Sequence, residues 1–173
     1  TQIDAVAVSR GPGSYTGLKI GVSSAKGFAY GISKPLIAID TLLLTAKMAK
    51  KKIMQDFDHY IPMTDARRME VFCSVYDNNL NLISPVEAKI ITPDSFDEFK
   101  KNKICFCGNG AEKCSKTLSN NNFIFLSDIY PSAEFMGEFA DTKFNMGHFE
   151  DITFFEPYYL KDFVATTPKN KII

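Results

Sequence analysis

"SRGPGSYTGLKIGVSSAKGFAYGISKP" occupies residues 9–35, and its reading decides the first half of the fold. It holds six glycines, yet from residue 16 onward its pattern is that of a helix. Glycine inside a helix costs about 1 kcal/mol relative to alanine, so this usage needs a reason. One common reason is a turn that cradles phosphate; another is a surface that a second helix approaches closely. With Gly17 at zero and about 100° per residue, Gly21, Ser24, Ala25, Gly27 and Gly31 fall on the half-cylinder centred on Gly17, with Phe28 as one large knob. Lys19, Val22, Lys26 and Tyr30 take the other half. Gly21 and Gly27 are interior, so about 2 kcal/mol must be recovered. Close van der Waals contact with a neighbouring helix can recover it.

The phosphate motifs each miss by one residue. A nucleoside-triphosphate cradle needs G-x4-G-K-[ST], but three residues separate Gly13 from Gly17, and Leu18 precedes Lys19. The dinucleotide pattern has Gly11 and Gly13 but Thr16 in its third glycine position. The turn still presents backbone N–H groups at a helix start, which leaves Gly11, Gly13 and Ser14 as a weaker anion or nucleotide candidate. Gly108 and Gly110 form a second glycine turn after an apolar strand, where open α/β sheets collect ligands. A plain turn is the preferred reading of that segment.

Outward from this stretch, "DAVAVS" (4–9) reads as a buried strand entering the Arg-Gly-Pro-Gly turn. Thr16 is placed to cap the helix and Gly31 to close it. "KPLIAID" (34–40) is the next strand, and Thr41 opens a helix running to about Lys52. Strand–helix–strand–helix in this rhythm implies parallel strands joined by a crossover. Residues 59–91 are β-rich, with a hairpin signal at Asp77-Asn78-Asn79. Helices are expected over 92–101, from the Gly108 turn to about Leu118, and over 131–145, where Phe135, Met136, Phe139 and Ala140 share a side. "NFIFLS" is a further strand. The domain reading is 1–57 as the first lobe, 58–150 as a second α/β lobe, and 151–173 as an aromatic tail packing back on both.

Twenty basic residues balance twenty acidic ones, which argues against unaided nucleic-acid binding. Two lysine runs, 47–52 and 100–103, read as solvated helix ends. No apolar stretch approaches the ~20 residues of a membrane span. The chain opens on Thr-Gln-Ile-Asp without a signal peptide or Met, which reads as a fragment with its N-terminus upstream. Cys105-x-Cys107 is too tight for a zinc pair, so Cys73, Cys105, Cys107 and Cys114 are expected as reduced, buried thiols of a cytoplasmic protein. His59 and His148 fall in no metalloprotease motif. Ser14 sits in G-P-G-S-Y rather than a nucleophile elbow. Asp65, Arg67, Arg68 and Glu70 crowd one strand turn, as a polar site or a local ion-pair cluster. No catalytic or metal-binding set is assigned.

Residues 9–42 resemble the signature of the bacterial TsaB (YeaZ) family. "DARRMEVFCSVYD" is similar to that family's Asp-Ala-Arg segment, "CGNGA" to its Gly-x-Gly-Ala turn, and "EPYYLKD" to its C-terminal Pro-x-Tyr-Leu motif. The match runs in order from Asp4 to about Asp162. The resemblance implies an actin/Hsp70-like (ASKHA, ribonuclease H-like) α/β fold of two lobes, the first incomplete here. It implies a non-catalytic scaffold in forming threonylcarbamoyladenosine on tRNA, paired with the catalytic subunit TsaD and joined by the ATPase TsaE. TsaD carries a His-x3-His metal site that this chain does not match. The small face of Gly17, Gly21, Ser24, Ala25, Gly27, Phe28 and Gly31 then corresponds to the family's partner-binding helix, which also forms homodimers when TsaD is missing. The resemblance implies no cofactor on this chain, ATP or ADP at the complex interface, tRNA met only through the complex, and no membrane partner. Family members begin with a strand, a hairpin and a long helix that are not seen here, which puts nucleotide binding by this chain in doubt. The competing reading is an enzyme of the same fold, a small-molecule kinase or a glycoprotease-like protein.

Overall fold

A computed structural model describes residues 2–161. The first lobe is built from β1 (Val6–Gly11), α1 (Tyr15–Gly31), β2 (Leu36–Asp40) and α2 (Thr41–Lys52). β1 and β2 pair in parallel, Val6 opposite Leu36 through Gly11 opposite Asp40, with a bulge at Ser9–Gly11. The crossover is therefore the one the sequence rhythm implies. α1 packs Val22 and Ala29 onto Val8 and Leu36, while α4 (Gly137–Asn145) lies against β2. Ser14, not Thr16, caps α1: its hydroxyl accepts from the Gly17 N–H at 3.3 Å.

The second lobe is a five-stranded sheet in the order β5-β4-β3-β6-β7. Its strands are β3 (His59–Asp65), β4 (Glu70–Asp77), β5 (Leu82–Ile90), β6 (Ile104–Cys107) and β7 (Phe123–Leu126). β3, β4 and β5 form an antiparallel meander, and β6 and β7 extend it in parallel from the other side of β3. Central strand β6 shows how both faces are filled. Ile104 and Phe106 enter one core with Ile61, Val71, Phe96 and Phe123, and Cys105 and Cys107 enter the other with Leu42, Ala46 and Tyr60. This two-residue alternation with burial on both sides marks a sheet covered twice. α2 covers the second face, so the helix assigned to residues 1–57 serves both lobes: it contacts β1 and β2 as well as β3, β4 and β6.

Three expected helices are shorter than their sequence suggests. Over 92–101 there is only a 3-10 turn, Asp97–Phe99. Phe96 adopts a left-handed backbone (φ 67°) that drops its ring into the core, 5.4 Å from Phe106. Burying that ring outweighs local helix preference. α3 spans only Ala111–Cys114. Residues 131–145 split into a 3-10 turn, Ala133–Phe135, and α4. Phe135, Met136, Phe139 and Ala140 are half-buried together, as their spacing predicts.

All four cysteines are free and buried. Burial pushes the Cys73 thiol up to about 12 and Cys114 up to about 11, and it raises Cys107 as well. Thiolate is the reactive form. Cys105 is shielded by complete burial, so a thiol reagent near neutral pH should modify none of the four in the folded protein and all of them after denaturation. A fast-reacting thiol in the native state would contradict this packing.

Candidate functional site

α1 has two unlike flanks. Leu18, Val22, Ala25 and Ala29 turn toward the protein, and Ala25 packs against the core of the first lobe. Ala25 thus leaves the small face on which the helical wheel placed it; its angle lies at the edge of that half-cylinder. Gly17, Gly21, Ser24, Gly27 and Gly31 are exposed, and Phe28 is 52% exposed among them. A Cβ added at Gly21, Gly27 or Gly31 would meet nothing within 4 Å. Sequence reasoning missed Ile20, 63% exposed and about 60° from Gly17 on the same flank. The open flank is therefore smooth backbone with two projecting apolar side chains, Ile20 and Phe28.

The lysine-bearing flank is occupied by the chain itself. Lys26 Nζ donates to the carbonyls of Phe155 at 2.8 Å and Thr153 at 3.3 Å. The Tyr15 ring packs against that of Tyr159, centroids 4.8 Å apart and planes tilted by 33°.

The two glycine turns, nearly a hundred residues apart in sequence, meet across one cleft of about 450 Å³. Gly13, Ser14, Gly17, Gly108 and Asn109 line it, together with Ser9, Thr41, Thr45, Met63 and Thr64. Gly11 and Gly110 stand behind the lining and shape it. Gly11 holds φ +110° and donates its N–H to Thr41 Oγ1 at 3.0 Å. Gly110 donates to the Met63 carbonyl at 2.9 Å. Among the described residues the cleft wall carries hydroxyls, an amide and backbone groups but no ionisable side chain.

The β3–β4 arm lies beyond the cleft. Its acids pair with distant lysines rather than the neighbouring arginines: Asp65 with Lys113, and Glu70 with Lys161, both at 2.5 Å. Burial acts to raise the Asp65 carboxyl, but the hydrogen bond from Lys113, the Arg67 N–H and the Lys113 charge prevail and hold it below its ordinary value. Arg67 and Arg68 both take left-handed backbone, φ 72° and 46°. The expected local ion-pair cluster is therefore replaced by two ion pairs to lysines distant in sequence. Among the described residues no group of three metal-ligating side chains converges, and no helix is long and apolar enough to cross a membrane.

The family described as TsaD, tRNA N6-adenosine threonylcarbamoyltransferase, matches residues 1–168. The chain is 31% identical over 174 residues to the Escherichia coli tRNA threonylcarbamoyladenosine biosynthesis protein TsaB, spanning 95% of this chain and 74% of that protein. To the Haemophilus influenzae protein of the same name it is 27% identical, spanning 95% of this chain and 72% of that one. The fold is similar to that of YeaZ from Pseudomonas aeruginosa, with a TM-score of 0.78 at 22% identity, covering 91% of this chain and 74% of that one.

Proposed function

The chain belongs to the TsaB branch of the TsaD-type family, and from that premise we propose that it is a non-catalytic scaffold that docks a TsaD subunit on the open flank of α1. Its place is in tRNA threonylcarbamoyladenosine biosynthesis, the process for which its relatives are named. The observation that carries the docking reading is the bare backbone at Gly21, Gly27 and Gly31 beside exposed Ile20 and Phe28. Such a flank lets a partner helix approach closely, and the two apolar side chains give that partner something to grip. When TsaD is missing, a second copy of the chain occupies the same flank.

The wall of the cleft also favours a scaffold. Phosphoryl transfer rests on cationic groups and metal-holding carboxylates around the phosphates, whereas the described cleft wall combines apolar side chains such as Leu18, Met63 and Ile129 with hydroxyl, amide and backbone groups. ATP or ADP then belongs to the assembled complex, which TsaE joins, and tRNA is met through that complex in the cytoplasm.

Reconstitution tests this reading. The protein mixed with its cognate TsaD should co-elute with it at about 10 µM, and with TsaE, ATP and a threonylcarbamoyl donor supplied, tRNA should be modified only when both this chain and TsaD are present. Turnover of ATP by this chain alone, or separate elution of the two proteins, would overturn the scaffold assignment.

A further inference from the structure

We propose that residues 155–161 form a strap that locks the two lobes at a fixed angle and anchors the N-terminal end of α1. The segment starts on the first lobe, where Phe155 packs with Ile152 on the core made by Val8, Val22, Ala29 and Leu36. Lys26 holds it there through the Phe155 carbonyl. It then crosses the mouth of the β1 turn. The Tyr158 N–H donates to the Arg10 carbonyl at 2.7 Å, and the Tyr158 ring faces the Arg10 guanidinium at 6.0 Å. Arg10 is itself held by Asp40 at 2.7 Å.

Gly11 makes this crossing sterically feasible. A Cβ there would sit 2.8 Å from the Tyr158 carbonyl oxygen, closer than real Cβ atoms approach backbone. Tyr159 next packs its ring against Tyr15, the first residue of α1. Lys161 then reaches the second lobe, where its Nζ lies 2.5 Å from both Glu70 oxygens.

A few residues thus join both rims of the cleft. On one side the strap is hydrogen-bonded to Arg10 and passes close over Gly11, next to cleft residues Pro12 and Gly13. On the other it holds Glu70, in the arm whose Asp65 N–H donates to Asn109 of the cleft at 3.0 Å. α2 already joins the lobes by packing on both sheets, and packed lobes joined at one place can still hinge about it; the strap adds a second tie, at the cleft rim, that opposes such opening. The strap also grips the flank of α1 opposite the open one. It therefore steadies that helix whatever docks on it, and this inference does not depend on the identity of the partner.

Hydrogen exchange on the full chain tests the strap. Lys161→Met and Glu70→Gln should each raise exchange at the Tyr158 amide, which bonds across the strap to the Arg10 carbonyl, about tenfold, while the Gly11 amide, held by Thr41 within the first lobe, and the β3 and β6 amides stay protected. Raised salt should have the same effect on the unaltered protein. The charge-reversed pair, Lys161→Glu with Glu70→Lys, should restore protection. Unchanged exchange in both single variants would overturn the proposal, as would failure of the reversed pair to recover. Loss of protection spread through β3 and β6 would overturn it too, because the ion pair would then be supporting the second lobe rather than joining the two.

Discussion

Gly108→Ala should lower the unfolding free energy by about 3 kcal/mol or more, measurable as a lower urea midpoint at unchanged slope. Two costs combine at this residue. Its backbone has φ +102°, a conformation that side chains other than glycine rarely adopt. An added Cβ would also lie 2.6 Å from the Met63 carbonyl oxygen and 3.2 Å from Thr45 Cγ2. The carbonyl cannot retreat freely, because it accepts the Gly110 N–H at 2.9 Å. Moving it would disturb β3, the strand that both β4 and β6 hydrogen-bond. Gly137→Ala is the control: it opens α4 with nothing within 4 Å of an added Cβ, so its effect should be within about 1 kcal/mol and in the stabilising direction. A Gly108→Ala protein as stable as the control variant would show that the turn is not the tight point described.

The elements of the first lobe could be read almost residue by residue, because their signals are local. Arg-Gly-Pro-Gly ends β1, the apolar runs are short and sharply bounded, and β2 and α2 begin within two residues of where their patterns place them. The second lobe was legible only where strands were concerned. Phe96 shows why: its left-handed backbone is imposed by the core it enters, and nothing in "TPDSFDEFKK" announces that core. The same limit applies to the cap of α1. Ser14 and Thr16 both have a hydroxyl, and the turn geometry after Pro12 selects the first. Meetings across the chain lay further still beyond local pattern. Both glycine turns were singled out, but their convergence on one cleft follows from how α2 lies across both sheets. The pairing of Lys161 with Glu70 joins two motifs that the sequence sets far apart.

The glycines of α1 make a prediction in which stability and association move in opposite directions. Gly21→Ala and Gly27→Ala should each stabilise the isolated chain by about 1 kcal/mol, the propensity difference in a helix interior. Neither new methyl would meet anything within 4 Å. A residue that weakens the fold at no visible gain to the chain itself points to a use outside the chain. Gly21→Leu and Gly27→Leu carry the argument to its test. Leucine is a good helix former and the space around both positions is open, so these variants should fold at least as well as the unaltered protein. They should nevertheless lose binding to TsaD by a hundredfold or more, about 3 kcal/mol, because each side chain would hold the opposing helix away from the backbone surface. The readouts are a melting curve for the first half of the prediction and co-elution for the second. Phe28→Ala extends the test from a different direction. It removes a half-exposed ring, which should leave the fold nearly unchanged while binding falls, as expected of an aromatic anchor that buries only in a complex. Full binding by the leucine variants would mean that TsaD docks elsewhere. The smooth flank of α1 would then stand as an unexplained cost to the stability of the first lobe.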